Sequence, residues 1–155
     1  MTIQSMNELF HHELQDIYYA ENQIAKSLSE MMDQATDAAL VDNFEHHLED
    51  THEQIKRLEQ VFRALGQSPK GVTCQAILGL IEESQETLRE IEDERVRDAA
   101  ILASAQAMER YEITRYSTLV AWADQLGRTI GADQTALGGL EIVDLLQLTL
   151  DEEKN

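Results

Sequence analysis

Several carboxylates in this sequence fall where an amphipathic helix would place apolar side chains. Glu21 lies four residues after Ile17 and three before Ile24, so a stripe of helical period runs through it. Glu49 and His52 stand at i, i+3, a spacing that puts both on one helix face beside Leu48 and Ile55. Glu109 and Glu112 repeat that spacing next to Met108, Ile113 and Tyr116, and Glu152 and Glu153 follow one turn beyond Leu148 and Thr149. An unpaired carboxylate inside a protein is costly because the charge loses its hydration. Divalent cations offset that cost, and carboxylate oxygen with some imidazole is a donor set suited to iron or manganese. A Glu from each of two helices, with Glu-x-x-His or a related pair from the others, is the ligand pattern of a dinuclear site in a bundle core. Taken singly, such pairs arise readily by chance in acidic helices, and Glu152 and Glu153 also read as solvated tail residues. His11, His12, His46 and His47 read as half-exposed or hydrogen-bonded side chains. It is the coincidence of interior acids on four successive elements that points to a metal.

The elements that must position these residues are helical, since apolar residues recur at three and four along the chain. The first helix, over 9–32, carries Leu14, Ile17, Tyr18, Ile24, Ala25, Leu28 and Met31, with Ser5 or Asn7 as its cap. Asp37 opens a second over 38–65, with Phe44, Leu48, Ile55, Leu58, Phe62 and Leu65 on its stripe and Gly66 closing it. A shorter linking helix is predicted over 72–91. A long one follows over 95–126, with Ile101, Ala105, Met108, Ile113, Tyr116, Leu119, Ala123 and Leu126, stopped by Gly127. The last, capped by Asp133, runs through Leu137 to Leu150, its first turns weakened by Gly138 and Gly139 at roughly 1 kcal/mol each. The prediction is an all-α fold, a ferritin-like antiparallel four-helix bundle with an extra short helix between the second and third bundle helices. No strand-like alternation and no Rossmann, P-loop or nucleophile-elbow signature competes with it.

Composition narrows the function. The 155 residues suit one domain, 1–155. Thirty acidic against twelve basic residues leave a net charge of −18, which disfavours nucleic acid and anionic membranes as partners. No apolar run approaches a membrane span. The single cysteine, Cys74, has no internal partner and reads as a small buried hydrophobe rather than a peroxide-sensing thiol. The N-terminus has neither the basic start nor the apolar run of a secretory signal, so a cytoplasmic location is expected. Without a Cys-x-x-Cys pair there is no rubredoxin-type iron, and any reductant must come from outside. Tyr18, Tyr19, Tyr111 and Tyr116 read as core packing before electron relays.

The strings LQDIYYAENQI (14–24), HLEDTHEQI (47–55), CQAILGLIEE (74–83), VRDAAILASAQAMERYEI (96–113) and LDEEK (150–154) together resemble the YciF/YciE stress-protein family, a bacterial branch of the ferritin-like, rubrerythrin-related superfamily. The resemblance runs through nearly the whole chain. It implies a ferritin-like bundle, a homodimer, an association with stress and a candidate dinuclear centre of two irons, with manganese as the alternative metal. Carried over residue by residue, it implies Glu21 as the first-helix ligand, Glu49 as a bridging carboxylate and His52 as a terminal imidazole. Glu109 and Glu112 would form the set on the long helix, and Glu153 would serve on the last, with Glu152 as its substitute. Asp16 matches the family string but lies five residues from Glu21, so an indirect or capping role is expected of it. Family members place a further acid about one turn past the EEK string, beyond Asn155. The implied activity is a ferroxidase or peroxide-consuming reaction, and the competing expectation is a non-catalytic structural or partner-binding stress protein.

Overall fold

A computed structural model describes residues 2–129 and 138–155. Five helices are seen among the described residues: α1 Met6–Gln34, α2 Ala38–Ala64, α3 Gln75–Arg89, α4 Glu94–Thr129 and α5 Gly138–Lys154. The α1 helix packs on α2 and α4, and α5 packs on α4 and α2, so these four form the antiparallel bundle, while α3 lies against α4 and α1. At 1.5 Å per residue α1 is about 43 Å long, enough for one set of side chains near its middle to be enclosed by several turns on either side.

The seams follow a three-four spacing. On α1 the buried series is Phe10, Leu14, Ile17, Glu21, Ile24, Leu28 and Met31; on α4 it includes Ile101, Ala105, Met108, Glu112, Tyr116 and Leu119. Facing helices bury such stripes against each other. The α2 seam differs from the predicted one. Its buried residues are Phe44, Thr51, Gln54, Leu58, Val61 and Phe62, whereas Leu48 and Ile55 lie at its edge and Leu65 is exposed. The helix is turned so that polar residues, not its outer leucine and isoleucine, face the centre of the bundle.

Helix ends explain the connections. The Ser5 hydroxyl accepts from Glu8 N (3.1 Å) and caps α1. Asp37 is the N-cap of α2 but makes no side-chain cap bond. Asp98 of α4 caps this end instead, its carboxylate accepting from Thr36 N (2.9 Å), Thr36 Oγ1 (2.8 Å) and Asp37 N (3.0 Å). Gly66, at φ +72°, ends α2 in a Schellman arrangement, with Gly66 N donating to Arg63 O and Gln67 N to Phe62 O, both 2.9 Å. The following strap is pinned to α1 by Val72 N donating to Gln15 O (3.2 Å), and a Cβ at Gly71 would meet Tyr19 Cβ at 3.0 Å. These contacts hold 72–74 outside α3, which is therefore shorter than the predicted 72–91. Gly127 does not stop α4, which runs on to Thr129; one helical glycine costs about 1 kcal/mol, less than the packing of Leu119 and Ala123 just before it supplies. The predicted cap Asp133 and Leu137 lie outside the described residues.

Candidate metal centre

Three of the four bundle helices, α1, α4 and α5, carry a buried acid. Glu21 from α1 and Glu112 from α4 have no exposed surface, and Glu153 from α5 retains 3%. The Tyr116 hydroxyl donates to this group, reaching Glu21 Oε2 at 3.1 Å. Four carboxylate oxygens are buried without any hydrogen-bond partner: Glu21 Oε1, both oxygens of Glu112 and Glu153 Oε2. The amide oxygen of Gln54, buried on α2, is likewise unpartnered. Such groups cost free energy unless something positive or a proton satisfies them.

The acid–base properties express the same cost. Burial raises the Glu21 carboxyl above its ordinary value, with the Tyr116 hydrogen bond acting against it. Burial and the negative charge of Glu21 hold Glu112 well above the carboxylate range. Burial pushes Glu153 up to about 8. Tyr116 is also raised strongly by burial and by Glu21, so it stays a hydroxyl donor.

His47 of α2 completes the cluster. Its Nε2 lies 4.0 Å from Glu153 Oε2, and one ligand atom each from His47, Glu112 and Glu153 lie within 4.8 Å of one another. Ligands bonded to one ion at 2.0–2.2 Å spread over at most about 4.4 Å, a difference within reach of small side-chain rotations. Burial lowers the His47 basicity, with Glu109 and Asp50 pulling the other way, and this favours the neutral imidazole that binds metals. Three acids, an imidazole and an amide oxygen with orphaned acceptor atoms form a donor set that fits a divalent cation of the iron and manganese type.

Of the six predicted ligands, Glu21, Glu112 and Glu153 meet here. Glu109 is half-buried beside them, close enough to act electrostatically on both His47 and Glu153. Glu49 and His52 do not meet the others. The Glu49 side chain is 70% exposed and pairs with His46 (3.8 Å), and His52 faces solvent. The reason is the turn of α2: the inward positions 44, 47, 51, 54, 58 and 61 alternate by three and four, and 49 and 52 fall between them. That spacing was the signal for His47 and Gln54, and it is obscured by the polarity of His47, Thr51 and Gln54 themselves.

The choice between the two C-terminal acids is equally clear. Glu152 turns to Arg57 of α2, whose guanidinium donates to both of its oxygens at 2.7 Å and also to Thr149 Oγ1 at 3.2 Å. Gln54 Nε2 adds a bond to Glu152 Oε1 (3.2 Å). Arg57 holds Glu152 below its ordinary value, the reverse of Glu153. Asp16 serves a different network: it accepts from Tyr111 OH (3.1 Å), which lies 3.1 Å from Cys74 Sγ. Cys74 is buried and caps α3, and burial pushes its thiol up, away from the reactive thiolate. Trp122 packs against the core.

A helical bundle with a carboxylate and histidine cluster at its centre is the class of protein that fold and site define. Residues 5–155 match a family described as a domain of unknown function, DUF892. The chain is 38% identical to protein YciF of Escherichia coli (strain K12) over 155 residues, covering 99% of this chain and 87% of that protein. It therefore belongs to the YciF family. Among solved structures, the E. coli stress protein YciF superposes with a TM-score of 0.85 at 37% identity, covering 98% of this chain and 89% of that one. YcfI of Rhodopseudomonas palustris, for which a structural role has been suggested, gives a TM-score of 0.89 at 52% identity, covering 98% and 90%. No described helix is long and apolar enough to cross a membrane.

Proposed function

We propose that the protein binds two iron ions in the bundle core and works as a ferroxidase or peroxide-consuming protein. The observation that carries this reading is the set of buried, unpartnered acceptor oxygens on Glu21, Gln54, Glu112 and Glu153. The four carboxylates of Glu21, Glu109, Glu112 and Glu153 bring four negative charges, which two divalent ions balance. His47 and Gln54 add neutral donors from α2. Bound iron supplies the electrons that reduce a peroxide or dioxygen O–O bond. The helices keep the donors in place and bury Glu21 and Glu112 completely, and Tyr116 fixes the orientation of the Glu21 carboxylate. The resemblance of the chain to a stress protein supports a protective use of this chemistry. A homodimer, which the family resemblance implies, is part of the reading and is checked by sedimentation equilibrium.

The test is anaerobic loading with Fe(II), desalting and elemental analysis, followed by absorbance on addition of peroxide. About two irons per chain and a ferric band are expected, both lost in the Glu112→Leu and His47→Ala variants. A folded parent protein that retains no iron would overturn the reading and leave the structural role suggested for YcfI as the better account.

A further inference from the structure

A cavity of about 220 Å³ opens beside the buried cluster, between α2, α4 and the last turn of α5. His46, His47 and Asp50 line it from α2, Glu109 from α4, and Glu152 and Glu153 from α5. His47 and Glu153 belong to the buried cluster as well, and Glu109 stands half-buried at its edge. Glu153 keeps only 3% of its surface exposed, and its Oε2 has no hydrogen-bond partner; the His47 side chain, 20% exposed, stands 4.0 Å from that oxygen. The floor of the cavity is thus one wall of the candidate metal centre, and its rim is acidic. Glu152 contributes little free charge there, because Arg57 neutralises it. Asp50 and Glu109 are the acids whose fields reach His47.

The geometry points to this cavity as the route by which a hydrated divalent cation reaches the core, with Asp50 as the outer acid that captures it and Glu109 as the next. A polar, open space of this size holds a cation with several waters, and a rim of one sign inside low-dielectric walls focuses the field on the opening. His47 and Glu153 then receive the ion, exchanging its waters for imidazole and carboxylate. Asp50 is not needed once the ion is inside, so its role shows in the rate of uptake and not in the amount bound. The inference rests on the core metal reading.

The experiment follows Co(II) uptake by the metal-free full chain in stopped flow, using the visible Co(II) absorption. Asp50→Lys is compared with Glu86→Lys, which makes the same change of net charge on an exposed position of α3. Asp50→Lys is expected to slow uptake at low salt by about fivefold or more, within the range of electrostatic steering, while final stoichiometry stays that of the parent. Glu86→Lys is expected to stay within about twofold of the parent, and added salt should narrow the gap. Equal rates for the two variants would overturn the route while leaving the metal centre intact. A folded parent that takes up no Co(II) would remove both.

Discussion

Tyr116 donates its hydroxyl hydrogen to Glu21 Oε2 across 3.1 Å, and neither side chain has any exposed surface. This bond ties α4 to α1 at the level of the acids, and it is made to a carboxylate whose other oxygen has no partner. Removing it in Tyr116→Phe leaves the buried Glu21 with still less satisfaction. The metal-free protein should lose about 1–3 kcal/mol of stability, read from urea unfolding, with a smaller loss once metal is bound. Unchanged stability of the metal-free variant would show that the bond carries no weight.

The raised carboxyls make the metal-free protein sensitive to alkali. Glu153 sits near 8 when folded against 4.5 ordinarily, and Glu21 and Glu112 are raised too. Between those limits the folded chain binds more protons than the unfolded one, so stability falls as pH rises. Glu152, lowered by Arg57, acts in the opposite sense, its contribution being present above its ordinary value and lost in acid. With chelator present, urea midpoints should therefore decline from about pH 5 to about pH 8. A flat or rising series would contradict the burial of these acids.

Metal uptake should reverse that decline and release protons, because a cation takes the place that protons hold on Glu21, Glu112 and Glu153. Calorimetric titration with Mn(II) near neutral pH, repeated in buffers of different ionisation enthalpy, measures the release. Zero released protons would mean that the ion binds elsewhere.

Glu49→Ala and His52→Ala remove exposed side chains and should change stability by no more than about 0.5 kcal/mol, with metal content unaltered. His47→Ala, on the same helix, should weaken retention of metal at least about tenfold, the ordinary scale for loss of an interaction near a metal. Elemental analysis of the three variants side by side separates the two faces of α2.

Arg57→Met takes away both 2.7 Å contacts to Glu152 and the bond to Thr149 while keeping much of the aliphatic bulk. The Arg57 side chain is only 16% exposed, so the pair lies between surface and buried behaviour, and a loss of about 1–3 kcal/mol is expected. A double-mutant cycle with Glu152→Gln should return a favourable coupling. No coupling would mean that the bidentate geometry stabilises nothing.

The α1 and α4 seams were legible in the sequence because Glu21 and Glu112 interrupt otherwise apolar series. Ile17 and Ile24 frame the one, Met108 and Tyr116 the other, and a single acid between such neighbours declares its face. On α2 three polar residues, His47, Thr51 and Gln54, occupy successive core positions, so the nearest apolar side chains, Leu48 and Ile55, mark the edge of the seam and draw Glu49 and His52 with them. The separation of Glu152 from Glu153 depends on Arg57, some ninety residues earlier in the chain, a tertiary contact that local spacing does not encode. Gly127 shows the limit of a local stop signal, since packing along α4 carries the helix past it.

Whether the core acids and His47 hold a metal is tested most directly by anomalous scattering from crystals loaded with Fe(II) under anaerobic conditions. Iron peaks are expected among Glu21, His47, Glu112 and Glu153. A well-ordered crystal with those side chains free of iron, or with iron at Glu49 and His52 instead, would contradict the assignment.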